Sequence, residues 1–523
     1  MKLDFKTYKD KVAGCWMGKN IGGTLGAPFE GRRAVHDIDF YIQDIQQNPP
    51  ANDDLDLQLL WLNAVERYGR AVNASILGEY WLSFIIPDWA EYGAAKANLR
   101  NGFAPPLSGY IGNPYRNSCG SFIRSELWAC LAPGNPEIAV KYAYEDAVVD
   151  HSEEGVYGEL FWAAVQSAAF VESDKMKLIE IGLSYIPETC GVARGIRLAL
   201  EAYQRGDSWQ EARRKVMNGV PGTFGVLGQP KDEMEKDIAI GEPGWDAPSN
   251  IGITIIGWLY GEDDFGKSLC TAVNCGEDTD CTAATLGATL GIIYGRSALP
   301  EKWTAPIGDV ISTKCVNDLS RTLFIPSTVT ELTERILRLT PLFLGKELVD
   351  ILAPGGYTIE VKDPGDLMCR KEHYFVTGLY NPGPPKNPEK VWDLVARGPF
   401  VQSFDFPAFK VRLDYGKEPF FTGNEPFKLK VTLSSNDYFN HPMWLDLEWH
   451  MPEGINVQNR RYSVYLPTYN MGDVTAEFEM SFEGFSGDRA EGVLDIRARG
   501  RHSRGLVPVL LMRGQAVFDR PAP

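Results

Sequence analysis

The stretch Val273–Gly295, VNCGEDTDCTAATLGATLGIIYG, sets three acids, Glu277, Asp278 and Asp280, within four residues directly before an apolar run. Along that run Ala284, Gly287, Ala288, Gly291 and Gly295 recur at steps of three and four, the period of one helix face. A face this small admits a second backbone at close range, so the stretch predicts a buried helix with carboxylates at its N-terminus. An acidic first turn complements the helix dipole and caps it, worth about 0.3–1 kcal/mol per charge. Carboxylates crowded beside a buried helix also repel one another unless a cation neutralises them, and Asp and Thr oxygens are what hard divalent ions prefer.

A second acidic cluster has the same form. Asn52-Asp53-Asp54-Leu55-Asp56-Leu57 opens a helix that continues through Leu59, Leu60, Leu62 and Val65, with Asn52 suited to the N-cap. Two such clusters, each leading a buried helix, are the sequence picture of a binuclear hard-metal site built from distant segments. Residues 6–22 form another helix with Ala13, Gly14, Met17, Gly18 and Ile21 on one side, followed by the Gly-rich turn GGTLGAPFEG ending at Gly31. In that turn Glu30 follows Pro28 and Phe29, where a carboxylate costs desolvation unless it has a partner or a task.

Asn117-Ser118-Cys119-Gly120-Ser121 precedes a helix starting near Phe122, so its amides either hold an anion at the helix start or simply form a loop. His151 follows Asp146 and Asp150 at a helix end, and six histidines in the whole chain argue against an imidazole-rich metal site. Helical periodicity continues to about residue 345, without a nucleophilic Ser motif, a Walker loop or a Rossmann fingerprint. After Leu344 the texture changes to short alternating stretches broken by Pro and Gly: GLYNPGPPKNPEK, FKVRLDY, FKLKVTLSS, MWLDLEWHM, AEFEMSFEG, VLDIRARG and LVPVLLMRG. These predict strands at sandwich spacing. The expected organisation is an all-α domain over 1–345, a mixed connecting segment over 346–399, and an immunoglobulin-like β-sandwich over 400–523.

A chain of 523 residues, 44% hydrophobic, is long enough for two or three domains with their own cores. A net charge of −17 disfavours nucleic-acid and anionic-membrane surfaces, which need clustered Lys and Arg. The nine cysteines are scattered and never spaced as CxxC, so neither a disulfide framework nor a structural zinc site is expected, and a reducing compartment fits. With no leader-like run at the N-terminus and no spanning-length apolar stretch, a cytoplasmic protein without a membrane partner is expected. Composition leaves the oligomeric state open.

Five stretches together resemble the ADP-ribosylglycohydrolases, the family of the enzyme that removes ADP-ribose from dinitrogenase reductase. They are GCWMGKNIGGTLGAPFE, the Asp53-Asp54 pair, CGSFIR at 119–124, DAVVDH at 146–151, and NCGEDTDCTAATLGATLG, and the resemblance covers roughly residues 8–296. It implies an all-helical fold with two divalent metal ions, Mg²⁺ or Mn²⁺, in a central cleft, cleaving the bond at the anomeric carbon of a ribofuranose. It further implies that Asn52, Asp53, Asp54, Asp278, Asp280, Cys281 and Thr282 form the metal-binding set, that Glu30, with Asp53 and Asp54, serves catalysis, and that Cys119, Gly120, Ser121 and His151 contact substrate. The implied partner is a small-molecule, ADP-ribosylated or otherwise furanosylated substrate.

The sequence departs from the family pattern at four positions. Asn52 and Cys281 stand where many relatives carry Thr, Gly23 where they carry Asp, and Cys119 at the Asn of their NGxAMR loop. A thiol is a poor ligand for Mg²⁺, so the position at Cys281 is weakened, rebuilt with Thr282, or taken by another metal. These departures keep two alternatives open: a nucleoside or other furanoside hydrolase, and a catalytically silent ligand-binding or structural member.

Overall fold

The computed structural model describes residues 1–220, 244–317, 322–371, 390–423, 425–436, 442–467 and 472–514. All of the stretch GLYNPGPPKNPEK except Lys390 lies outside them. The chain divides into two compact units, one of residues 1–97 and 113–369 and one of residues 98–112 and 370–523. The N-terminal region is helical, and the C-terminal region is rich in antiparallel strands, with Phe420–Phe421 pairing parallel to Arg504–Arg513. No helix among the described residues is long and apolar enough to cross a membrane.

The helical unit is built on the close pairing of two helices, Phe5–Gly26 and Thr279–Tyr294. Every residue from Gly14 to Gly26 is buried, as is every residue of the second helix except Ile293 and Tyr294. The two small faces seen in the sequence pack on each other: Gly14 meets Gly291, Gly18 meets Gly287, and Gly22 meets Ala283. The order of these pairs makes the helices antiparallel, so the C-terminal end of the first lies beside the acidic start of the second.

This pairing also explains why the first helix runs through Gly26 instead of giving way to a turn at Gly22. Glycine costs about 1 kcal/mol in a helix relative to alanine, but Gly22 and Gly26 abut the backbone of Ala283 and Thr279, and a Cβ at either would clash there. The turn is confined to a 3₁₀ segment, Ala27–Phe29, and the residues after it.

The helix Asp53–Tyr68 starts where expected, with Asn52 as its cap: Asn52 Oδ1 accepts from Asp54 N at 2.9 Å. The loop before Phe122 leads through a 3₁₀ turn, Phe122–Arg124, into a short helix, Ser125–Leu131. Strand Lys2–Asp4 pairs antiparallel with Thr358–Glu360, which pairs with Val349–Asp350, so residues just past the last long helix return to the N-terminus.

The second unit carries two five-stranded sheets. One has the order Arg461–Leu466, Met443–His450, Arg489–Ala498, Arg504–Arg513, Phe420–Phe421; the other runs Val401–Asp405, Phe409–Asp414, Phe427–Ser435, Val474–Ser481, Asn456–Val457. Alternate side chains of both, among them Val411, Leu413, Val431, Leu447, Ile496 and Val509, share one core, which makes a sandwich. Trp449 and Phe421 are in that core, whereas Trp444 is 48% exposed on the outer face. Phe103, Leu107 and Ile111 join the same core, from a segment whose position in the chain gives no hint of it.

Candidate active site

Both acidic helix starts open onto one cavity of about 340 Å³ in the helical unit, walled in part by Asp53, Asp54, Asp278 and Asp280. Glu30 stands at its edge, carried there by the turn after the first helix. Donor atoms of Glu30, Asp278 and Asp280 lie within 4.8 Å of one another. Three carboxylate oxygens, Asp54 Oδ2, Asp278 Oδ1 and Asp280 Oδ1, are buried and meet no hydrogen-bond donor among the described residues.

Such crowding has a clear electrostatic signature. Burial, reinforced by neighbouring carboxylates, pushes Asp278 and Asp280 well above the usual carboxylate range. Burial likewise pushes Asp54 up to about 7, the nearby Lys19 ammonium offsetting part of the effect. Glu30 is raised by burial and by Asp53. Without cations this wall holds its charge only at a cost.

Asp53 is different. Its Oδ1 lies 3.0 Å from the Lys314 ammonium, and its Oδ2 accepts from Tyr92 Oη at 3.1 Å. Asp56, from the same cluster, points elsewhere and accepts from the amides of Lys314 and Cys315 at 2.6 and 2.7 Å. The Lys314 segment is thus tied to the acidic helix twice, and no motif in the sequence marks it.

Glu277, the first acid of the central stretch, faces away from the cavity wall. It forms a two-point pair with Arg33, Nε to Oε1 at 2.6 Å and Nη2 to Oε2 at 2.9 Å, both residues buried. Its backbone exchanges hydrogen bonds with Gly31 and Arg32, which fastens the turn bearing Glu30 to the start of the Thr279–Tyr294 helix.

The remaining predicted residues divide between wall and support. Cys119, Gly120 and Cys281 line the cavity. Cys119 Sγ donates to Asp278 Oδ2 at 2.6 Å, and Cys281 Sγ to Asp54 Oδ1 at 3.4 Å. Asn52 reaches the site through its amide, Nδ2 lying 3.3 Å from Asp280 Oδ2 while Oδ1 serves as the cap. A Cβ on Gly23 would lie 2.5 Å from that Nδ2, so the Asn52 amide fills the space a side chain at Gly23 would need.

Thr282 and Ser121 are buried but are not part of the cavity wall, their hydroxyls bonding Thr279 O and Gly155 O. His151 stands behind the wall, its Nε2 2.9 Å from the hydroxyl of Ser118, which does line the cavity. Its Nδ1 lies 3.0 Å from Asp150 Oδ1. Arg124 binds Asp150 through two nitrogens and Gly120 O through one, locking the loop onto the core. Two of the loop amides are already committed, Ser118 N to Tyr115 O and Cys119 N to Trp245 O.

Sequence reasoning missed the other half of the wall: Lys314, Glu91, and the aromatic side chains of Trp89, Tyr92, Tyr115 and Trp245. Only their convergence in space distinguishes them from ordinary surface and core residues.

A model of the ADP-ribosylglycohydrolase family matches residues 4–338, and the chain belongs to that family. Among solved structures, an ADP-ribosylglycohydrolase-related protein complex is 18% identical, covering 64% of this chain and all of its own, with a TM-score of 0.39. The Pseudomonas fluorescens alkylpurine DNA glycosylase AlkC, bound to DNA containing an abasic site analogue, is 13% identical with a TM-score of 0.14, covering 88% of this chain and 99% of its own. At these TM-scores neither adds to the family assignment. No curated protein matches.

Proposed function

We propose that the chain hydrolyses a ribosyl or related furanosyl bond at the anomeric carbon with the help of divalent cations. The observation that carries this reading is the set of three buried, donor-free carboxylate oxygens on Asp54, Asp278 and Asp280 around one cavity. Leaving such charges buried and uncompensated costs several kcal/mol per ion. The all-oxygen set of Glu30, Asp278 and Asp280 fits a hard ion such as Mg²⁺ or Mn²⁺. Asp53 needs no ion for charge balance because Lys314 supplies one.

When bound, a hard ion supplies Lewis acidity and a template for sugar hydroxyls. Glu30, at the cavity edge, gives a proton to the leaving group or takes one from water. The aspartates set negative charge beside the anomeric carbon, where bond cleavage builds oxocarbenium character. Ser118, held by His151, offers a hydroxyl to the sugar, and Trp89, Tyr92 and Trp245 offer faces to a flat leaving group.

One observation favours a second reading within the same chemistry, a nucleoside or other furanoside in place of an ADP-ribosyl conjugate. Among the described residues the wall carries six acids, Glu30, Asp53, Asp54, Glu91, Asp278 and Asp280, against the single cation of Lys314. With the Ser118 and Cys119 amides committed as well, a diphosphate has few donors here. The donor-free oxygens Asp54 Oδ2, Asp278 Oδ1 and Asp280 Oδ1 argue against the silent alternative, since nothing in a purely structural role requires them.

Thermal unfolding of the metal-stripped protein with Mg²⁺ or Mn²⁺, each with and without ADP-ribose or ribonucleosides, tests these readings, because a ligand of the folded state raises its apparent stability. A metal shift is expected, and hydrolysis of the sugar conjugate that adds a further shift. Asp54→Asn or Asp278→Asn is expected to abolish that hydrolysis with the fold intact. Full activity in either variant, or no metal shift in the wild type, sinks the proposal.

A further inference from the structure

Two sulfur donors sit on the same wall as the oxygen donors. The ligand atoms of Cys119, Asp278 and Cys281 lie within 4.8 Å of one another, a set separate from Glu30, Asp278 and Asp280 except for Asp278, which both share. Cys119, Cys281, Asp278 and Asp54 are at most 7% exposed, and Asp278 Oδ1 and Asp54 Oδ2 lack any donor among the described residues. The two thiols hydrogen-bond carboxylates, Cys119 to Asp278 and Cys281 to Asp54, so sulfur and oxygen already converge pairwise.

The backbone pre-sets this convergence. Asp278 and Cys281 are three residues apart at a helix start, which places them on one face. Cys119 is delivered from the opposite side by a loop pinned through Cys119 N to Trp245 O at 2.9 Å and through Arg124 to Gly120 O at 2.9 Å. A tetrahedral ion with Zn–S bonds of about 2.3 Å needs its donors about 3.8 Å apart, so shifts on the order of 1 Å bring Cys119, Asp278 and Cys281 into place. Asp54 Oδ1 lies 3.4 Å from Cys281 Sγ. Thiolates select Zn²⁺-like ions and disfavour Mg²⁺.

We propose that Cys119, Cys281 and Asp278, with Asp54 as the fourth donor, bind a thiophilic divalent ion of the zinc class beside the hard-ion set. Each thiol releases its proton to solvent as its sulfur takes the metal. Asp278, with an oxygen in each donor set, links the two positions, so the departures at Cys119 and Cys281 change the metal and do not delete it. The site shares Asp54 and Asp278 with the glycohydrolase reading, but its signature is spectroscopic and independent of substrate.

The test is titration of the full-length, reduced, metal-stripped protein with Co²⁺ in excess Mg²⁺. One equivalent is expected to bind with intense sulfur-to-cobalt charge-transfer absorption and the strong visible bands of a four-coordinate ion, and Zn²⁺ is expected to abolish both. Cys119→Asn/Cys281→Thr carries the residues its relatives use and is expected to fold, lose the charge-transfer bands, and keep its stabilisation by Mg²⁺ or Mn²⁺. Weak six-coordinate bands in the wild type, an unchanged spectrum in the double variant, or a Cys119–Cys281 disulfide persisting in reductant overturns the proposal. Loss of the spectral signature leaves the glycohydrolase reading standing, and absence of hydrolysis leaves the thiolate site standing.

Discussion

Gly18 and Gly287 lie where the main chains of two helices touch, and a Cβ on either would fall well inside contact distance of the other's carbonyl. Both atoms belong to backbone, so neither can rotate away. Gly18→Val is expected to lower stability by about 1–3 kcal/mol or more in urea denaturation, and a change below about 0.5 kcal/mol contradicts the close approach. The acidic wall makes a prediction of opposite sign. Because Asp54, Asp278 and Asp280 destabilise one another in the absence of ions, Asp278→Asn is expected to raise the melting temperature of the metal-free protein while removing the shift that Mg²⁺ or Mn²⁺ gives. A fall in the metal-free melting temperature counts against this account.

Among the elements, the turn before the Thr279–Tyr294 helix aims both aspartates at the cavity. Gly276 and Glu277 both have left-handed backbones, φ 74° and 69°, the second uncommon for a residue with a side chain. The buried Arg33 pair and the backbone bonds to Gly31 and Arg32 hold Glu277 there. Removing one partner leaves the other charge buried, so Glu277→Ala is expected to cost about 3–5 kcal/mol and to weaken stabilisation by Mg²⁺. Unaltered thermal unfolding and metal response show that the pair does not set this turn. The sequence displays Glu277, Asp278 and Asp280 as one acidic cluster, but the turn separates them: Glu277 goes to Arg33, the aspartates to the cavity.

Over the whole molecule, a charge of −17 makes acid response a readable property, and in the second unit Asp495 is a carboxylate with well-defined partners. Asp495 is buried, which by itself raises its pKa, yet hydrogen bonds from Arg504 and Arg497 bring it down to about 2. An acid held below its unfolded value of about 3.9 contributes stability that is present above that value and lost as pH falls through about 2. Asp495→Asn is therefore expected to lower stability at pH 7 and to flatten its loss between about pH 4 and 2, measured by thermal unfolding of the full chain at each pH. A wild-type slope in that window in the variant contradicts the assignment.

The sequence by itself determined what depends on local periodicity and composition: buried helices with small faces, acids at two helix starts, and the change to alternating strands after Leu344. FKLKVTLSS and MWLDLEWHM became strands because alternation fixes which face is buried. The resemblance to the family was legible because glycines and aspartates at fixed offsets encode both packing and charge. Only the tertiary structure decided which small faces meet, that Asn52 reaches Asp280 through its amide, that Lys314 neutralises Asp53, and that Cys119 meets Cys281 across the wall. It also assigned Phe103, Leu107 and Ile111 to the sandwich core. Each of these is a meeting of segments far apart in the chain, and periodicity carries no information about which distant surface a side chain will face.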